Sequence, residues 1–134
     1  MWFFLNIKRI FFLSLLITFF SSCGEKYGEL SDDFKKPTKL IIQTQNDTIE
    51  TIDKHVIADF VTLIESGYQV KTHKCMENFK IYLVNSSNDE MLFYMTKGHS
   101  LNYYEFSLGG SAYQVDLIDL KKIITTFNLD IDTL

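Results

Sequence analysis

The chain has 134 residues, with 13 basic and 17 acidic side chains, a formal net charge of −4 and 46% apolar residues. One proline and six glycines exclude collagen-like and low-complexity chains, and two cysteines exclude a disulfide-stapled miniprotein. The acidic balance argues against nucleic acid as a partner, because phosphates require clustered Lys and Arg. A chain of this length makes one domain, since two would take roughly 100 residues or more each.

The apolar residues are unevenly spread. Residues 1–22 (MWFFLNIKRIFFLSLLITFFSS) carry only Lys8 and Arg9 as charges, and an uncharged stretch runs from Ile10 to Phe20. A bilayer span needs about 20 apolar residues. A basic pair ahead of a shorter apolar core therefore reads as a signal peptide. The stretch closes on Phe20-Ser21-Ser22-Cys23-Gly24, small residues directly before a cysteine. This pattern resembles the lipobox of bacterial lipoproteins. The resemblance implies cleavage between Ser22 and Cys23, a lipid on the Cys23 thiol and acylation, palmitate for example, of its new amino group. One acyl chain anchors only reversibly, and stable attachment takes at least two. Gly24 stands where an inner-membrane retention signal would place aspartate, which implies the outer membrane. The following GEKYGEL lacks the acidic run of some surface-exported lipoproteins, which implies the periplasmic leaflet. The alternative is an uncleaved signal anchor lengthened by Trp2–Leu5. Either arrangement tethers the chain to a membrane of the cell envelope.

Without residues 1–22 the chain retains 11 basic and 17 acidic side chains and an ordinary apolar content. Residues 23–37 are polar, carry both signs of charge and end at Pro37, which predicts a lipidated tether ahead of a domain over 38–134. Residues 38–45 predict a strand with Leu40 and Ile42 on one face. Asn46-Asp47 predicts a turn and 48–52 a second strand. Asp53 is a good N-cap for a helix over 54–66, whose apolar stripe includes Val56, Ile57, Phe60, Leu63 and Ile64. Gly67 stands where a left-handed C-terminal cap belongs. Strands are then predicted at 68–73, 79–84, 91–96, 101–108 and 112–115, with turns at Asn85–Asp89 and Gly109-Gly110. Asp116 caps a second helix running through Phe127. The order predicts an α+β domain, a mostly antiparallel sheet of four to six strands with two helices on one face.

Candidate chemistry is sparse. With Cys23 lipidated, Cys75 has no intrachain partner, whereas without lipidation a Cys23–Cys75 disulfide becomes an option. His73, Cys75 and Glu77 alternate along a predicted strand and would face one side, the placement that metal ligands or a thiol–imidazole pair need. His55 and His99 show no paired spacing. No metalloprotease, nucleophile-elbow, phosphate-loop or dinucleotide motif occurs, so neither an enzyme nor a cofactor is expected. Tyr82, Tyr94 and Tyr104 alternate with apolar residues on successive strands and predict an aromatic binding face, with Tyr103 and Tyr113 on the opposite register. Tyrosine suits interfaces because it gives large contact area at low entropic cost. Asp47-Thr48-Ile49 and Asp132-Thr133-Leu134 resemble the O-glycosylation acceptor of Bacteroidota. Two functions follow as expectations. One is an envelope lipoprotein whose domain binds another protein, in the manner of inhibitor or immunity lipoproteins. The other is an accessory envelope enzyme or metal-binding protein using His73, Cys75 and Glu77.

Overall fold

The computed structural model describes residues 25–72 and 74–134. The leader with Ser22 and Cys23, and also His73, lies outside the described residues. Seven strands form one sheet: β1 (Lys39–Gln43), β2 (Thr48–Thr51), β3 (Tyr68–Val70), β4 (Phe79–Val84), β5 (Glu90–Lys97), β6 (Tyr103–Leu108) and β7 (Ser111–Asp116). Their spatial order is β2-β1-β4-β5-β6-β7-β3, every neighbouring pair antiparallel. Helices α1 (Lys54–Glu65) and α2 (Leu117–Thr125) cover one face. The fold is therefore the expected α+β domain, with one strand more than the upper bound of the expectation. No helix among the described residues is long and apolar enough to cross a membrane.

The local signals act as their chemistry requires. The Asp53 carboxylate accepts from the backbone N–H of His55 and Val56, and Asp116 does the same for Ile118 and Asp119, so both helices start where an acceptor meets their unpaired donors. At the β4–β5 turn, the side chain of buried Asn85 accepts from Ser87 N and Asp89 N and donates to Asp89. Gly109 and Gly110 both have positive φ, 58° and 84°, the conformation of a two-residue hairpin whose twist matches the strands.

Gly67 departs from expectation. It is not left-handed, and its constraint is space: a Cβ there would lie 3.0 Å from the Phe106 ring and 3.1 Å from the Ile64 carbonyl oxygen. Strand β3 also ends at Val70, three residues earlier than expected.

Residues 25–37 are not a free tether. Lys26 bridges to Tyr68 at the β3 edge, Tyr27 N donates to Gly67 O at 2.7 Å, and Gln69 N donates to Glu25 O at 2.7 Å. The Tyr27 ring meets Phe106 and Tyr113 edge to face, and Leu30 and Phe34 are buried in the core. The polar character of the segment concealed three apolar side chains at near-helical spacing, which the core takes up. Its domain therefore includes at least residues 25–37, where a start at residue 38 was expected. Leu30→Ala is expected to cost about 2–5 kcal/mol in urea unfolding, a core-deletion value that a solvent-exposed tether would not give. Gly67→Ala should cost about 1–3 kcal/mol through overpacking against Phe106.

Candidate functional site

The strand registers assign each side chain to a face. Leu40, Ile42, Phe79, Ile81, Leu83, Phe93, Met95, Tyr104, Phe106 and Val115 point toward the helices and are buried. The other face carries no helix among the described residues. Across it, Glu50, Ile41, Tyr82 and Leu92 form one cross-strand row, and Thr48, Gln43, Lys80, Tyr94 and Ser107 form the next. Tyr82 O–H donates to Gln43 Oε1 at 2.9 Å, which fixes its ring between β1 and β4. Tyr94 is 38% exposed and has the Lys80 ammonium 5.6 Å from its ring centroid. Lys80 also pairs with Glu77 at 3.3 Å, and the hydrogen bond to that carboxylate holds its pKa above the ordinary lysine value.

Of the three expected tyrosines, the structure brings together two. Tyr82 and Tyr94 share the uncovered face, but Tyr104 is 2% exposed and belongs to the core, beside Phe79. The reason is the alternation of β6 itself. Tyr104, Phe106 and Leu108 form its apolar register, and Tyr103, Glu105 and Ser107 form its polar one. Reading Phe106 as the strand's core residue would have assigned Tyr104 correctly. Tyr103 and Tyr113, expected to share a register, lie on opposite faces: Tyr103 is exposed, and Tyr113 stacks on Phe106 at 5.1 Å. The residues alone leave open whether Leu92 or Phe93 faces the core, and the structure pairs Phe93 with Ile81 in the core and puts Leu92 and Ile41 on the uncovered face. They sit in apolar-looking strands, and only the pairing shows which residues the helices leave uncovered.

Of the His73–Cys75–Glu77 alternation, Cys75 and Glu77 lie outside any strand, and His73 is outside the described residues. The described residues between β3 and β4 carry the chain from the β3 edge of the sheet back to β4, and Thr72 and Cys75 among them stand over the uncovered face. A cleft of about 320 Å³ opens beneath them, lined by Thr72, Cys75, Tyr94, Thr96, Glu105 and Ser107 among others. Asn78 secures the end of this strap: its N–H donates to Met95 O at 2.8 Å, and its side-chain oxygen accepts from Lys97 N at 2.8 Å. Cys75 is exposed and free, with its Sγ 3.7 Å from His99 Nε2, while Glu77 turns to Lys80. No sequence signal linked Cys75 to His99, because the contact joins two loops 24 residues apart. No group of three or more His, Cys, Asp or Glu that could hold a metal ion occurs among the described residues. His55 is exposed at the start of α1, remote in sequence from these loops.

The Tyr104 hydroxyl is buried with no hydrogen-bond partner among the described residues, and burial pushes its pKa far above the ordinary tyrosine range. An unfolded tyrosine ionises near pH 10. The folded state keeps the proton to higher pH, so this contribution to stability is complete below pH 10 and is lost as pH rises above it. Tyr104→Phe removes the orphan group. Its stability at pH 7 is expected to equal or exceed that of the parent by about 1 kcal/mol in chemical denaturation, with a shallower decline above pH 10. Comparison of the chain with family models, with curated proteins and with solved structures finds no match.

Proposed function

We propose that the chain is a lipid-anchored protein of the bacterial envelope, at the periplasmic side of the outer membrane, whose domain binds another protein through the uncovered sheet face, as an inhibitor or immunity-type partner would. The observation that carries the binding half is the row Ile41–Tyr82–Leu92 with Tyr94 diagonal to it, apolar and aromatic groups on a face that the helices leave free. Aromatic anchors with a polar rim suit protein recognition, where a few residues carry most of the energy. Here Lys39, Lys80 and Glu50 supply the rim.

The anchoring half rests on the leader pattern through Cys23. It has a geometric consequence. Glu25 and Lys26 are already joined to the β3 edge, so only Gly24 separates a lipidated Cys23 from the fixed chain. Two residues reach about 7 Å. The proposed anchor therefore holds the β3 edge against the headgroups and turns the β1–β2 edge, at the far side of the sheet, away from them.

A second reading is favoured by one contact, the Cys75 thiol beside the His99 imidazole, which is the pairing a thiol nucleophile requires. Substitution separates the two. Cys75→Ser abolishes thiol chemistry and leaves a protein-binding face indifferent.

A photo-crosslinking residue in place of Leu92 is expected to give a discrete protein adduct in envelopes, and the same residue in place of Asp119 on the helix side none. Adding Tyr82→Ala should lower the adduct at least tenfold, equivalent to about 1.4 kcal/mol. Equal adducts from both positions would refute the binding face. For the anchor, Cys23→Ala should abolish metabolic labelling with palmitate and leave the chain at precursor size. Mature-sized Cys23→Ala protein retained in membranes would refute lipidation.

A further inference from the structure

A groove of about 780 Å³ lies away from both the uncovered sheet face and the strap, roomier than the clefts of 200–350 Å³ beneath the strap, between the helices and at the sheet ends. One wall is the flank of α1 where the core meets solvent, with buried Ile57, half-buried Val61 and exposed Ala58, and Ile52 and Pro37 complete an apolar lining. Ile52 is 72% exposed, a large apolar side chain left in water at the lip.

The charged residues of this groove are all of one sign. Lys35, Lys36 and Lys54 line it, and no acidic side chain does, in a chain whose net charge is −4. Lys35 is held by Asp32 at 2.8 Å and by Glu29 at 3.6 Å. Lys36 and Lys54 are in no ion pair among the described residues. Asp53, next to Lys54 in sequence, points its carboxylate at the N–H groups of His55 and Val56 at the start of α1. The remaining clefts of the helix layer differ in kind: the one between α1 and α2 is lined by Asp59 and Asp119 as well as Lys122.

An apolar trough with two uncommitted cations at its rim fits an anionic amphiphile. The volume lies within the range of about 300–1,000 Å³ typical of small-ligand sites. The lining stretch of α1 runs from Lys54 to Thr62, about 12 Å at 1.5 Å per residue, so a docked peptide helix would seat only about two turns. A hydrocarbon chain can bend within a compact trough, and it leaves no backbone polar groups to satisfy. We propose that this groove binds a long-chain fatty acid, its hydrocarbon lying along Ile57, Ala58 and Val61 and its carboxylate at Lys36 and Lys54. The site is independent of the partner-binding face, because it rests on the opposite side of the sheet.

The test uses the full chain in its membranes and a photoactivatable hexadecanoic acid bearing a diazirine on its chain, with adducts mapped by peptide mass spectrometry. The expected result is labelling concentrated in residues 52–62 and displaced by unlabelled hexadecanoate. Ala58→Trp, which fills the groove from an exposed helix position, should reduce the labelling at least tenfold. Lys36→Glu with Lys54→Glu should reduce it at least fivefold. These are surface positions, and protease resistance equal to that of the parent chain checks that the variants fold. Labelling spread evenly over the chain would overturn the proposal, as would equal labelling by the neutral alcohol analogue or labelling unchanged in the folded variants. Displacement by an acidic amphipathic peptide but not by hexadecanoate would overturn it in favour of a peptide ligand.

Discussion

The edge-to-face contact of Phe93 with Phe106, ring centroids 5.7 Å apart, sits where every layer of the domain meets. Phe60 of α1 meets Phe93 at 5.4 Å, and Tyr113 stacks on Phe106 at 5.1 Å. Tyr27, from the segment before β1, closes the chain of rings against both Phe106 and Tyr113. One continuous aromatic contact thus ties α1, three strands and the N-terminal segment. Such pairs add about 0.5–1.5 kcal/mol each beyond the area they bury. The same Phe106 ring leaves no room for a Cβ at residue 67, so the exit of α1 is fixed by the core and not by the local conformation of a glycine.

This core also determines which surfaces are left for function. Helix α1 carries the chain across the helix side of the sheet, from β2 at one edge to β3 at the other, and the described residues between β3 and β4 return on the opposite side. The return path runs over the β5–β7 part of the outer face and leaves Tyr82 and Leu92 open, with Tyr94 at the boundary, where it also lines the cleft beneath that path. On the helix side, two helices of about 10 Å diameter cannot span seven strands spaced about 4.8 Å apart. The segment before β1 fills part of the gap and leaves a groove beside α1. The proposed protein-binding face and the proposed fatty-acid groove both follow from how the connections run across a sheet wider than its cover.

The elements governed by local chemistry were legible in the residues. Asp53 and Asp116 cap the helices, Gly109-Gly110 turns the β6–β7 hairpin, and Asn85–Asp89 closes β4 to β5, each because nearby backbone groups need a partner or a permitted φ. The candidate site was legible in part. Tyr82 and Tyr94 were placed on the right face, and Tyr104 was not, although its own strand alternates with Phe106 in the core register. The alternation of His73, Cys75 and Glu77 predicts a strand face, but β3 ends at Val70, so for Cys75 and Glu77 the periodicity has no pleat to act on. Tyr27, Leu30 and Phe34 were hidden by the charged residues between them.

The sequence by itself determined the fold class, both helix starts, the hairpin turns and the pattern of the leader through Cys23, because each depends on residues within a few positions of one another. Only the tertiary structure decided that the N-terminal segment belongs to the core, that Cys75 meets His99, and which half of the sheet stays open. Those outcomes depend on strand order and on the path of two long connections. Side-chain alternation tells a strand that it has two faces, but which face is buried is set by what the rest of the chain lays over it.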